Sequence, residues 1–137
     1  MEAFLPARIL IADDNALVRQ QVRNLLGRHP DWEICGEAVD GRDAVNKARE
    51  LNPDVIVLDF AMPEMNGLQS AWEIARLSPS TPILLFSMFL SNQLVEVAQK
   101  NAGIRGAVSK ADVIRDLVQG VEALLRRETF FPQVVTS

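Results

Sequence analysis

Four short apolar runs in this chain lead into side chains that can do chemistry. Residues 9–12 lead into Asp13 and Asp14, residues 55–58 into Asp59, residues 83–86 into Ser87, and residues 106–109 into Lys110. Three carboxylates brought close repel one another, which raises at least one pKa unless a cation joins them. Oxygen donors without His or Cys suit a hard ion such as Mg²⁺, which keeps several waters and takes one or two carboxylates. Phosphoryl transfer needs an in-line nucleophile, with positive charge and hydrogen-bond donors on the equatorial oxygens. Asp59 supplies the nucleophile, Mg²⁺ and Lys110 the charge, and the Ser87 hydroxyl a neutral donor. The set is complete for taking up a phosphoryl group.

Those residues act together only if the elements before them all end at one place. The central run, residues 55–58, is continuous Val, Ile and Leu, the pattern of a parallel strand covered on both faces. Residues 60–67, with Met62, Pro63 and Gly67, read as a loop over the end of that strand, and helix formers resume at Leu68. Earlier in the chain, Asn15 can cap a helix with the stripe Val18, Val22, Leu25 and Leu26, closed by Gly27 and the His29-Pro30 pair. A second strand is expected over residues 32–38. A second helix follows Asp40 and Gly41, with Ala44, Ala48 and Leu51 on its apolar side. The third helix carries Leu68, Ala71, Trp72 and Ala75, which makes Trp72 a core residue on this reading. Ser91 caps a fourth helix to about Asn101. Asp112 caps a fifth, with the stripe Ile114, Leu117, Val118, Val121, Leu124 and Leu125. Alternating strands and helices imply an α/β, doubly wound (βα)5 arrangement of flavodoxin-like order, a five-stranded parallel sheet with helices on both faces. All strands then point one way, and the five polar residues gather at one edge.

The chain has 137 residues, 48% of them hydrophobic and 23% charged, which fits one globular domain with a sizeable core. A net charge of −4 gives no general attraction to nucleic acid or anionic lipid. One cysteine excludes an internal disulfide, and Cys35 reads as a buried small hydrophobe. The N-terminus lacks the cationic and long apolar segments of a signal peptide, and no window approaches the ~18 apolar residues of a membrane span. The expectation is a soluble cytoplasmic protein that binds neither membrane nor, by itself, nucleic acid.

In its acidic pair, Asp59 with Met62-Pro63 and Gly67, Ser87, and Lys110, the chain resembles a response-regulator receiver domain of two-component signalling. The resemblance covers Ile9 to about Arg126, so residues 1–127 are expected to form the receiver and residues 128–137 a tail or the start of a linker. The loop at 62–67 and the tail at 127–132 are similar to those of NarL/LuxR-type members. The resemblance implies that Asp14 and Asp59 ligate Mg²⁺ directly, that the carbonyl of Ala61 is a third ligand, and that Asp13 acts mainly through water. It implies phosphorylation of Asp59 by a sensor histidine kinase or phosphotransfer protein, with slow autodephosphorylation and no substrate turnover. Ser87 would then swing toward the phosphate and shift the face made by helix 4, strand 5 and helix 5. That face would meet an output domain, a partner protein or a second copy of the chain.

Three positions depart from the family pattern. Met88 stands where Ala or Gly is usual, and its thioether can obstruct the pocket, shield it from water, or fold away. Ala107 replaces the usual aromatic three residues before the lysine, so coupling cannot run through that side chain. Ala111 stands where many relatives have a cis proline. A cis bond before a non-proline costs about 3–4 kcal/mol, so a trans bond is expected. Met88 and Ala107 motivate a second reading, a receiver-like interaction module that does not depend on phosphorylation. A phosphatase of the haloacid-dehalogenase type would need an aspartate where Ala61 stands, and no Gly-rich phosphate loop follows the first strand. Taken singly, each site residue has an ordinary structural role as cap, turn or surface residue. Their joint placement argues for chemistry. His29 reads as a helix-end or surface residue. Phe130-Phe131-Pro132 either packs back on the last helix or begins a linker.

Overall fold

The computed structural model describes residues 5–132; the first four residues and residues 133–137, where part of the leader and tail readings fall, lie outside them. The chain runs β1 (Ala7–Ala12), α1 (Ala16–Gly27), β2 (Trp32–Ala38), α2 (Gly41–Leu51), β3 (Val55–Asp59), α3 (Gly67–Leu77), β4 (Ile83–Ser87), α4 (Asn92–Gln99), β5 (Ile104–Ser109) and α5 (Val113–Leu125), with a 3₁₀ turn, Lys110–Asp112, before α5. The five strands form one sheet in the order β2-β1-β3-β4-β5, all pairs parallel. This is the expected doubly wound, flavodoxin-like order.

The apolar runs are continuous because both faces of the sheet are covered. Along β3, Val55 and Val57 pack with Val22, Leu26, Leu117 and Val121 of α1 and α5. Their neighbours Ile56 and Leu58 pack with Ala48, Ala71 and Ile74 of α2 and α3. On β4 the same alternation sends Leu84 and Phe86 to one side, and Ile83 and Leu85 to the other. Burying each such side chain contributes roughly 1.5–3 kcal/mol, so neither face tolerates a polar replacement easily.

Several details differ from the sequence reading. β1 begins at Ala7 and β5 at Ile104, because pairing with Trp32 and Ile83 extends both strands backwards. Trp72 is 68% exposed rather than core. The buried side of α3 is Gly67, Ser70, Ala71 and Ile74, a stripe in a neighbouring phase of the same helical period. Ser70 can be buried because its hydroxyl donates to the Asn66 carbonyl at 3.0 Å. Trp72 instead lines an open groove of about 470 Å³ between α3 and α4, with Leu68, Val97 and Lys100. Ile114 stands out of the α5 stripe at 82% exposed. Asp112 makes no side-chain cap; Ser109 caps the preceding 3₁₀ turn instead, accepting from the Ala111 N–H at 3.2 Å. His29 stacks on Trp32 with ring centroids 3.9 Å apart, which accounts for its place beside the α1–β2 turn. The peptide before Ala111 is trans, as expected.

The tail packs back on the last helix, one of the two readings, and also pairs with the edge of the sheet. After α5 the chain turns at Arg127 (φ 64°), and Phe130 pairs in parallel with Gly106 on the edge of β5. The Phe130 N–H donates to the Arg105 carbonyl and the Ala107 N–H to the Phe130 carbonyl, both at 2.9 Å. Phe130 packs with the α1/α5 side of the core and Phe131 with the other side. Gly106 permits the approach, since a Cβ there would lie 2.8 Å from the Phe130 carbonyl oxygen. The tail thus covers an otherwise open strand edge.

Candidate functional site

Strand register brings the polar residues together. Ala12 is opposite Leu58, so Asp13 and Asp59 emerge side by side at the ends of β1 and β3. Asp59 is opposite Phe86, and Ser87 opposite Ser109, which carries Ser87 and Lys110 to the same edge. Carboxylate oxygens of Asp13, Asp14 and Asp59 lie within 4.8 Å of one another. The Lys110 ammonium sits 2.8 Å from Asp13 Oδ2 and 3.1 Å from Asp59 Oδ1. It also lies 4.9 Å from the centre of the Phe86 ring, which favours a cation over its face.

Burial varies sharply across this group. The side chains of Asp13 and Asp59 are 0% and 3% exposed and that of Lys110 is 17%, whereas Asp14 is open to solvent. Burial first, and then the charge of Asp13, push the Asp59 pKa from 3.8 up to about 6, against the opposing pull of Lys110. Burial alone would lower the Lys110 pKa, but hydrogen bonds and charge from Asp13 and Asp59 outweigh it, and the pKa is raised. Lys110 therefore stays cationic at neutral pH. One ammonium faces three carboxylates, so the cluster favours a further cation. Its all-oxygen donors fit a hard divalent ion.

The loop after β3 is folded tightly over Asp59. The Ala61 N–H donates to Asp59 Oδ1 at 3.3 Å, and the Gly67 N–H to the Phe60 carbonyl at 2.7 Å. Asn66 caps α3 in a reciprocal box with Gln69. A Cβ on Gly67 would meet the Asp59 carbonyl oxygen at 2.6 Å and Phe60 Cα at 2.7 Å, both backbone atoms. Gly67→Ala is therefore expected to lower stability by about 1–3 kcal/mol in urea unfolding. An unchanged midpoint would show that the loop has room to spare.

The residue pattern described as "Response regulator receiver domain" matches residues 9–122 of this chain. The chain belongs to the response regulator receiver domain family. The receiver is 37% identical over 126 residues to a protein-glutamate methylesterase/protein-glutamine glutaminase of Alkalilimnicola ehrlichii, covering 90% of this chain and 32% of that protein. It is also 37% identical to transcriptional regulatory protein PdtaR of Mycobacterium tuberculosis, covering 92% of this chain and 60% of that protein. The chain thus spans only part of the length of these relatives. Among solved structures, a LuxR-family two-component response regulator from Aurantimonas sp. superposes with a TM-score of 0.87 at 32% identity, covering 91% of this chain and 89% of that one. Among the described residues of this receiver, no helix is long and apolar enough to cross a membrane.

The five residues singled out from the sequence do not all make contact. Asp13, Asp14, Asp59 and Lys110 form one cluster. Ser87, 5% exposed, donates instead to the Phe89 carbonyl at 3.3 Å. Met88, beside it, is 65% exposed, and Ala107 is 2% exposed. Phe86, whose ring lies 4.9 Å from the Lys110 ammonium, is not among the five; the sequence offers it, with Phe89, only as a stand-in for the aromatic missing at Ala107. Its one signal is its place before Ser87 on a strand adjoining the nucleophile.

Proposed function

We propose that this receiver takes a phosphoryl group from a phosphohistidine on a sensor histidine kinase or phosphotransfer protein onto Asp59. The observation that carries this is the contact of Lys110 with both Asp13 and Asp59 beside an open Asp14. Mg²⁺ fits the donor set, with Asp13, Asp14 and Asp59 and the Ala61 carbonyl holding it, and when bound it supplies positive charge to the phosphoryl oxygens. A carboxylate oxygen of Asp59 attacks phosphorus as the bond to the donor imidazole breaks, and the electron pair leaves with the imidazole nitrogen. Lys110 places its charge on an equatorial oxygen, and Ser87 donates to another once it leaves the Phe89 carbonyl. No substrate is turned over; the acyl phosphate is lost slowly to water. The output is a changed α4–β5–α5 face offered to an output domain, a partner protein or a second copy of this chain. The cytoplasm is the compartment in which such a donor meets it.

Incubation with acetyl phosphate and MgCl₂ should add one phosphoryl group to the intact protein, and Asp59→Asn should abolish the addition. A mass shift that survives Asp59→Asn, or none in the natural sequence, contradicts the assignment. The second reading, a module indifferent to phosphorylation, is favoured by the small buried Ala107, which offers no aromatic to relay a Ser87 movement. It gains if partner binding is the same in Asp59→Ala and in protein treated with beryllofluoride.

A further inference from the structure

Asp14 is the exposed member of the acidic trio, and its direction follows from the peptide that joins it to Asp13. Asp13 is fixed at every polar atom that carries this peptide. Its N–H donates to the Ala38 carbonyl at 3.0 Å, its Oδ1 accepts from the Asn15 N–H at 2.8 Å, and its Oδ2 accepts from Lys110 at 2.8 Å. The remaining atom, the Asp13 carbonyl oxygen, accepts from Arg19 Nη1 at 2.7 Å. Arg19 is held in turn: its Nε lies 3.1 Å from Glu37 Oε1, while Glu37 Oε2 takes Arg23 at 2.8 Å. Lys47 donates to the Glu37 carbonyl, closing the group from the α2 side. The Arg19 and Glu37 side chains are 15% and 29% exposed, so this is a half-buried ion pair.

We propose that Arg19 is a positioning residue for the divalent cation: by clamping the Asp13 carbonyl it aims the Asp14 carboxylate, with Glu37 as its anchor. The inference rests on the Mg²⁺-dependent phosphoacceptor reading and names a residue that reading does not contain. Its test is decided by sign. A guanidinium near a cation site repels the incoming ion, so removing its charge should by itself tighten Mg²⁺ binding. Removing a side chain that orients a metal ligand weakens binding instead, commonly by 10-fold or more.

Titration of the full chain with MgCl₂ by calorimetry at neutral pH should therefore give a Kd about 10-fold weaker for Arg19→Met than for the natural sequence. Arg19→Lys should fall between them, because an ammonium can reach the carbonyl but lacks the fork that also engages Glu37. Glu37→Gln should weaken binding in the same direction. Its effect should not add to that of Arg19→Met if the two residues act as one unit. Arg28→Met removes the same charge just beyond the far end of α1, outside the Arg19–Glu37–Arg23 group, and should leave the Kd unchanged. Melting curves without Mg²⁺ establish that each variant is folded; if Arg19→Met is not, Arg19→Lys and Glu37→Gln carry the test. Binding by Arg19→Met as tight as, or tighter than, that of the natural sequence overturns the positioning role and leaves the phosphoacceptor reading intact. A natural sequence that binds no Mg²⁺ removes both.

Discussion

Asp59→Asn is expected to stabilise the fold by about 1–3 kcal/mol at pH 7 without divalent ions, although it removes the proposed nucleophile. The folded-state pKa of Asp59, about 6, lies above the ordinary 3.8, so the folded protein holds this proton more tightly than the unfolded chain does. The stability this group contributes is thus full below pH 4 and is lost as the pH rises through 6. Asparagine carries no such charge and escapes the loss. Urea unfolding across pH 4 to 7 should show the two proteins converging at the acid end and separating toward neutrality. Added MgCl₂ should stabilise the natural sequence more than the variant and narrow the gap. A variant that is no more stable at pH 7 would mean that Lys110 already compensates the buried charge in full.

Lys110→Met should act in the opposite direction, at a cost of about 3–5 kcal/mol under the same conditions. Among the described residues, the Lys110 ammonium is the one cation within salt-bridge distance of Asp13 and Asp59, whose side chains are 0% and 3% exposed. Methionine restores the apolar stem of the lysine but leaves two enclosed carboxylates facing each other. The cost should shrink as acid protonates Asp59 or as Mg²⁺ binds, and part of it should be recovered in the double variant with Asp59→Asn. A loss below about 1 kcal/mol would be the behaviour of an exposed surface pair, contrary to the burial seen here.

Much of the site was legible because it depends on local chemistry and one global rule. An apolar run without alternation needs cover on both faces, parallel strands share a direction, and residues just beyond their ends must meet. Asp13, Asp59 and Lys110 followed from that alone. The partners they choose did not. Arg19 on α1 looks like any solvated arginine until β2 brings Glu37 beside it. Ser87 is directed to the Phe89 carbonyl by the turn that follows it, which no strand pattern encodes.

By itself, then, the sequence determined the order of elements, the parallel sheet and the edge at which carboxylates, hydroxyl and ammonium collect. These follow from hydrophobic periodicity and chain direction. Only the tertiary structure decided the phase of α3, where Ser70 is buried and Trp72 is not, and the docking of Phe130 against the edge of β5. The reason is physical: periodicity tells that a helix or strand has an apolar side, but which residues are covered depends on neighbours far away in the chain.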